Sequence, residues 1–418
     1  MCPFSGCSIS INNDLPEPQP LLLIPGGSKD VHGFYLPKDA DGNVTLAAGQ
    51  IVLLACPGNF NGFSNTNIGL RTALATCDSG TTFSIDSVSY NFWDFNCTFN
   101  PVHTARYSNS TCYDGTKRAI EVGFEVGTHF YKLIDICFDD GLYTTLYVKA
   151  TIVSGIAGSE KGKEFENYIG KDFFPEIPLE KLYDTKEQQK IIHNLLNLTQ
   201  PGNQYINTTH FLSRGHHSAK ADYVYSSQQR ATYNYVNISP QWQPFNGANW
   251  GQIESSVRKY AENNTLDLVV YTGTHGVATL PNVHGIETEL YLYEDSNNKK
   301  SIPVPKLFWK AVYDPKSQAG VVFVGINNPY VSDPKGDYLI CIDVCSKMSW
   351  VNWDQKNITR GYSYCCEVDD FRSTVKTLPQ FSVSGLLTDG GNTDDRYFLG
   401  VGYYVFLIKG VAYILKLF

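Results

Sequence analysis

Phe211-Leu-Ser-Arg-Gly-His-His217, Asn237-Ile-Ser-Pro-Gln241 and Asn246-Gly-Ala-Asn-Trp-Gly-Gln-Ile-Glu254 together form the stretch on which the reading of this chain turns. Taken singly, each segment has a purely structural reading. Trp250, Ile253, Val257 and Ala261 have the spacing of the buried stripe of an amphipathic helix. Asn246, just ahead of them, is a good N-cap residue. Asn237 to Gln241 has turn composition, with Asn and Pro together. His217, a histidine in a polar segment, reads as a solvated side chain. The ordered combination, with every spacing kept, is what chance rarely supplies.

The residue types point to phosphodiester hydrolysis. Water attacks a phosphodiester when one group removes its proton, another neutralises the charge gathering on the phosphoryl oxygens, and a third helps the leaving oxygen depart. His216 is the candidate base, because a neutral imidazole accepts a proton near neutral pH. Asn246 offers a carbonyl oxygen, a hard donor of the kind Mg²⁺ takes while keeping most of its water. Glu254 lies eight residues further on. At about 3.6 residues per turn it returns near the face of Asn246 and can hold metal-bound waters. Arg258, one turn beyond, and Arg214, beside the base, are the candidate phosphate ligands. Lys220, Arg230 and Lys259 cluster around them in sequence as substrate-binding candidates.

The segment resembles the core of the DNA/RNA non-specific endonuclease family, whose signature reads Asp-Arg-Gly-His, then Asn-Ile-Thr-Pro-Gln, then Asn, Trp and Glu on one helix. Ser213 stands here in place of the aspartate, which puts metal affinity and rate in question but not the identity of the base. Arg214, Gly215 and His216, Asn237 to Gln241, and Asn246, Trp250, Glu254 and Arg258 match the remainder. The resemblance extends through Tyr271-Thr-Gly-Thr274, Val304-Pro-Lys-Leu-Phe-Trp-Lys-Ala-Val-Tyr-Asp-Pro315 and Val324-Gly-Ile-Asn-Asn-Pro329, so it covers residues 200–345. Val31-His-Gly-Phe-Tyr-Leu-Pro37 and Cys56-Pro-Gly58 are similar to the additional domain of an arthropod branch that includes insect digestive double-stranded ribonucleases and salivary nucleases. The resemblance implies a ββα-metal core and catalysis by His216, Arg214, Glu254 and Arg258. Asn246 would hold one Mg²⁺, replaceable by Mn²⁺, and Ser213, Gly215, Asn237 and Trp250 would support the site.

Composition bears on compartment. The eleven cysteines, at 2, 7, 56, 77, 97, 112, 137, 341, 345, 365 and 366, include no Cys-x-x-Cys pair, so disulfides are favoured over zinc. Seven lie in residues 1–150 and four beyond. The four are expected to pair among themselves, and Cys2, at the terminus, to be the thiol left over. Asn43, Asn96, Asn109, Asn197, Asn207, Asn237, Asn263 and Asn357 fit the Asn-x-Ser/Thr acceptor pattern, and a glycan on Asn237 would obstruct the motif. The expected location is extracellular, with a signal segment outside this sequence.

The net charge of −8 is unusual for a protein that meets phosphate backbones. Residues 1–150 carry eight lysines and arginines against fourteen acidic residues, so most of the excess lies there. Those residues read as short alternating strands, including Gly49–Cys56, Ile120–Val126 and Leu142–Val148. Gly- and Ser-rich Ser154–Lys163 is the expected linker. Thr185–Leu198 has helical spacing, and Leu266–Tyr271 and Gly320–Gly325 are apolar enough for a central sheet. The apolar tail Tyr397–Phe418 carries Lys409 near its middle and reads as core strands, with a membrane span or a lipid anchor after Gly390-Gly391-Asn392 the lesser readings.

The expected architecture is α+β, with a β-rich accessory domain at 1–153 and a catalytic domain with a mixed central sheet at 164–418. The expected function is a secreted, Mg²⁺-dependent endonuclease acting on RNA and DNA without sequence preference, double-stranded RNA included. It calls for no obligate protein partner and no membrane. The rival readings are a catalytically weak nucleic-acid-binding glycoprotein on the same scaffold and an adhesive glycoprotein. Binding alone would need none of His216, Asn246 and Glu254.

Overall fold

Alternating apolar residues make strands of the N-terminal third. The computed structural model describes residues 6–27, 33–65, 68, 70–163, 165, 167–199 and 205–389, and the backbone of 403–408 and 411–416. The first strands are β1 (Gly6–Ser10), β2 (Leu21–Leu23), β3 (Asn43–Ala47), β4 (Ile51–Ala55), β5 (Thr72–Ser79), β6 (Thr82–Ile85) and β7 (Val88–Asn91). β1 pairs with β3, and the other five form an antiparallel sheet in the order β2-β4-β5-β6-β7. A meander follows, made of β8 (Thr104–Cys112), β9 (Lys117–Val126), β10 (His129–Asp139) and β11 (Thr144–Ile152). Disulfides Cys7–Cys77, Cys56–Cys97 and Cys112–Cys137 clamp this region. Cys2 lies outside the described residues.

Ser154–Lys163 is not the free linker expected from its composition. Ile156 and Glu160 are buried. The Glu160 carboxylate accepts hydrogen bonds from the Gln19 amide, at 3.0 Å to each oxygen, and from the Ser226 backbone. A carboxylate taken out of water needs such partners, and they tie the segment to both halves of the chain. Beyond it come α1 (Leu179–Leu182) and α2 (Thr185–Leu195), the latter capped by Asp184, whose carboxylate accepts from the backbone N–H groups of Lys186 and Glu187.

The motif itself folds as β12 (Leu212–His216), α3 (Ser226–Ala231), β13 (Ile238–Trp242), α4 (Gln243–Phe245), a π-helical turn over Asn246–Trp250, and α5 (Gly251–Asn264). β12 and β13 form an antiparallel pair with His216 opposite Ile238. Trp250, Ile253, Val257 and Ala261 are fully buried, as their spacing predicts.

The chain then enters β14 (Leu268–Val277). Two hairpins, β15 (Thr279–Pro281) with β16 (Glu287–Glu289) and β17 (Tyr291–Glu294) with β18 (Lys300–Pro303), lead to β19 (Pro305–Asp314), β20 (Ala319–Ile326) and β21 (Ser363–Cys366). α6 (Val368–Thr374) and β22 (Gly385–Leu386) complete the region, β22 running parallel to β20. β11 hydrogen-bonds to β14, with Ala150 opposite Val270. One sheet therefore runs β21-β20-β19-β14-β11-β10-β9-β8, with β22 on β20. The expected boundary at 153/164 thus falls inside this sheet, because β11, the last strand before it, pairs with β14 beyond it. The sheet is mixed only through β22, its other pairings being antiparallel.

Every residue of β20 is buried. Val321 and Phe323 join the core that holds Phe245, Trp250 and Ile253, while Val322 and Val324 join a second core with Phe371 and Val375. Cover on both faces explains its unbroken apolar run. Cys341–Cys366 and Cys345–Cys365 are nested disulfides, so the four C-terminal cysteines pair among themselves as expected. Asp343 lies against the sulfurs of Cys345 and Cys365, but that disulfide leaves no thiolate for a metal. In the tail, β23 (Tyr403–Ile408) and β24 (Val411–Lys416) form an antiparallel hairpin. Lys409 lies outside the described residues, and no helix among those described is long and apolar enough to cross a membrane.

Candidate active site

The hairpin β12–β13 presents the candidate base, His216. Gly215 is required there by close approach: a Cβ would lie 2.4 Å from Oε1 and 2.5 Å from Cβ of Gln241, the neighbour strand's buried side chain. His216 follows at the strand end. Its Nε2 is buried without a protein partner, so the other ring nitrogen is the one that donates to the Arg214 carbonyl. Burial holds the imidazole down at about 4, against the Arg214 carbonyl bond and Asp222, which raise it; Lys220 lowers it further. The ring is therefore neutral at neutral pH, with a bare lone pair on Nε2.

Asn246 departs from the expected cap. Its φ of −55° and ψ of −47° are helical, and it opens the π-helical turn rather than preceding a helix. Along a regular α-helix, eight residues cover about 2.2 turns and would leave Glu254 roughly 80° around the axis from Asn246. An i→i+5 turn absorbs one extra residue, so the effective separation is that of seven, within roughly 20° of two full turns. The π turn thus puts amide and carboxylate on one face.

Ser213 acts on Asn246 directly. Its hydroxyl donates to the Gln241 carbonyl at 2.9 Å and accepts from Asn246 Nδ2 at 3.1 Å. That bond fixes which end of the amide is which, leaving Oδ1 with no protein donor among the described residues. A hard cation needs an oxygen held in this way. Removing the clamp in Ser213→Ala is expected to raise the divalent-metal concentration needed for activity by about 10- to 100-fold, the usual cost of losing an outer partner of a ligand. An unchanged metal titration would show that Ser213 does not orient Asn246.

Charges converge on one buried carboxylate that sequence reasoning missed. Asp222, 4% exposed, is bonded to Arg258 Nη1 at 2.7 Å, and its charge also reaches His216, Glu254 and Lys310. Arg258, expected on phosphate, is thus held by Asp222 and must exchange that partner to reach substrate. The Glu254 carboxyl is pushed up by burial and pulled down by the Lys310 ammonium, raised by Asp222 and lowered by Arg258. The Trp250 indole N–H lies beside it without closing a hydrogen bond of normal geometry. Lys310, 1% exposed, is the second residue missed. The available signal was a cation inside the apolar run Leu307-Phe-Trp-Lys310.

Arg214 is caged between aromatic rings, its guanidinium 5.2 Å from the Tyr168 ring and 4.9 Å from that of Tyr183. Its Nε is buried and unpartnered, and no carboxylate closes an ion pair with it among the described residues. Such a guanidinium is pre-oriented and keeps its charge for an incoming anion. Arg230 stacks over Phe165 at 4.4 Å and Lys220 over the same ring at 5.5 Å. Lys259 is exposed on α5 with no partner among the described residues that would draw it to the site.

Two expectations are corrected. His217 is not solvated: it is fully buried, with Nε2 2.9 Å from Ser239 Oγ and Nδ1 3.3 Å from the Thr272 carbonyl, and burial drives it down to about 3. Asn237 is fully buried as well. Its amide donates to the carbonyls of Ser218 and Thr232 and accepts from the Ser218 N–H, which pins the turn after His216 and closes that sequon to a glycan in the folded chain.

Two antiparallel strands and a helix thus carry a bare imidazole nitrogen, an oriented amide oxygen, a carboxylate and a caged arginine, the groups that hydrolysis of a phosphodiester calls for. Residues 115–371, more than half of the chain, match the family described as DNA/RNA non-specific endonuclease, and the chain belongs to that family. It is an endonuclease. A salivary endonuclease of Lutzomyia longipalpis is 28% identical over 89% of this chain and 84% of its own length. Salivary protein Tsal2A of Glossina morsitans morsitans is 27% identical over 91% and 94% respectively, and a salivary endonuclease of Culex quinquefasciatus 25% identical over 68% and 73%. Among solved structures, a chain of the EndoG/EndoGI complex is 12% identical with a TM-score of 0.36 over 60% of this chain and 87% of that chain, too distant for residue correspondences.

Proposed function

We propose that this chain is a secreted, Mg²⁺-dependent, sugar-non-specific endonuclease that hydrolyses RNA, double-stranded RNA included, and DNA to fragments with 5′-phosphate ends. The observations that support it most are the Ser213–Asn246 clamp and, on the same strand, an imidazole whose Nε2 has no protein partner. His216 takes the proton of the attacking water at Nε2, its other nitrogen staying on the Arg214 carbonyl. Arg214, and Arg258 once it leaves Asp222, bind the charge that develops on the phosphoryl oxygens. Asn246 Oδ1 would hold the divalent ion, with Glu254 retaining its waters, and the ion when bound supplies charge stabilisation at the phosphoryl and departing 3′-oxygens. Lys220, Arg230 and Lys259 supply cations for the neighbouring phosphates, a local offset to the acidic whole. Relatives found in saliva support secretion, as do the disulfides.

Because the nucleophile is water, no step uses a 2′-hydroxyl. Digests of a short duplex RNA and its 2′-deoxy equivalent, with Mg²⁺ or EDTA, are expected to show cleavage of both only with metal, and mass spectrometry to show 5′-phosphate and 3′-hydroxyl ends. Cyclic 2′,3′-phosphates, or resistance of the DNA, would mean that the ribose hydroxyl attacks. Tight binding without cleavage would favour a binding protein on this scaffold.

A further inference from the structure

Lys310 lies in the middle of β19 between buried Trp309 and Ala311, where a charged side chain has to be explained. Its ammonium donates to Thr272 Oγ1 at 2.7 Å and to the His217 carbonyl at 3.4 Å, and sits 5.5 Å from the centre of the Trp250 ring. No carboxylate closes an ion pair with it among the described residues, although Asp222 and Glu254 are within electrostatic reach. Burying an ammonium among neutral partners is costly, and an apolar residue of similar length would fill the space without that cost.

The partners show what the charge does. His217 directly follows the base. Its ring is already anchored to the Thr272 carbonyl and to Ser239, and Lys310 takes its backbone carbonyl as a third anchor. Thr272 stands opposite Lys310 in the β14–β19 pairing, so this anchor is part of the central sheet. Trp250, on the other side, ends the π turn that begins at Asn246. Lys310 thus touches the sheet, the turn after His216, and the helix bearing the amide and carboxylate; its strand neighbour Phe308 also meets His217 and Trp250, but through ring contacts that leave the His217 carbonyl to the ammonium.

We propose that Lys310 is a positioning residue of the hydrolytic centre: held by Thr272, it fixes the His217 carbonyl against the sheet and the Trp250 face, and so sets His216 relative to Asn246 and Glu254. The proposal rests on the nuclease reading for its kinetic consequence and on the geometry alone for its structural one.

The test compares the full chain with Lys310→Met and with Thr272→Val, which removes only the hydroxyl that holds the ammonium. On a defined duplex RNA, kcat of Lys310→Met is expected to fall by at least about tenfold, as for loss of a group that orients site residues, with KM little changed. Amide exchange of residues 212–218 should rise while the rest of the large sheet keeps its protection. Thr272→Val should show both effects in smaller measure. A folded Lys310→Met with wild-type kcat and wild-type exchange at 212–218 would overturn the proposal, as would a loss of protection spread evenly over the sheet, which marks a merely structural residue. If Lys310→Met does not fold, wild-type behaviour of Thr272→Val in both measurements overturns it. A wild-type chain that cuts no nucleic acid would refute the nuclease reading, and the local exchange would then decide the role of Lys310 by itself.

Discussion

His216→Ala is expected to lower turnover by about 10² to 10⁴-fold, the range typical for removal of a general base, while leaving nucleic-acid binding and thermal unfolding close to wild type. In the proposed mechanism the imidazole takes a proton and holds no substrate. Its bond to the Arg214 carbonyl is local, and the hairpin around it is secured by Asn237, Gly215 against Gln241, and the buried His217. Burial keeps the ring neutral down to about 4, so the sign of the pH effect is fixed: lowering the pH should not switch off the wild-type base in the ordinary histidine range. Between about pH 8 and 6, across the unperturbed value near 6.5, His216 should therefore contribute no loss of turnover, and any loss there with saturating metal belongs to Glu254, whose carboxyl burial pushes up to about 7. Single-turnover rates of both proteins check the first point, and a pH–rate profile the second. A variant that keeps more than about a tenth of the wild-type rate would remove His216 from the role of base.

Asn246→Ala should displace the Mg²⁺ titration of activity further than Ser213→Ala or Glu254→Ala does. Loss of the coordinating oxygen is a greater change than loss of an outer partner, whose removal typically costs about 10- to 100-fold. The reason is geometric: Asn246 is the member of the site whose oxygen is both oriented, through Nδ2 on Ser213, and free of protein donors among the described residues. Glu254, on the face to which the π turn returns it, has the charges of Lys310, Arg258 and Asp222 near it, and in the proposed mechanism it holds metal-bound waters. Titrating activity and, separately, heat of Mn²⁺ binding would distinguish lost metal from lost chemistry. If Asn246→Ala leaves both curves in place, the ion is held elsewhere.

The catalytic segment was legible in sequence because its information is local. The strand–turn–strand–helix order and the stripe Trp250, Ile253, Val257 and Ala261 lie on one continuous stretch with the candidate base, amide and carboxylate, and the order of elements and the burial of the stripe are those of the structure. The pairing of Cys341, Cys345, Cys365 and Cys366 among themselves was legible for the same reason, since the segment they clamp is short. What the sequence could not determine depends on approaches between distant residues. The union of the N-terminal meander with the catalytic sheet is a hydrogen-bonded ladder between β11 and β14, and period-two patterning gives a strand its faces but not its neighbour. A histidine in a polar segment looks solvated until Ser239 and Thr272 are seen to close over His217. Asp222 holds Arg258 from 36 residues away and Lys310 reaches back 93 residues to the carbonyl beside the base. The π turn between Asn246 and Glu254 ends at Trp250, whose ring packs against Phe245 and against Phe308 on β19, a contact across 58 residues of chain. Residue types determined which chemistry this chain can perform, whereas the charge partners and the alignment of that chemistry were decided by tertiary packing, because electrostatic and steric contact depend on distance in space and not on distance along the chain.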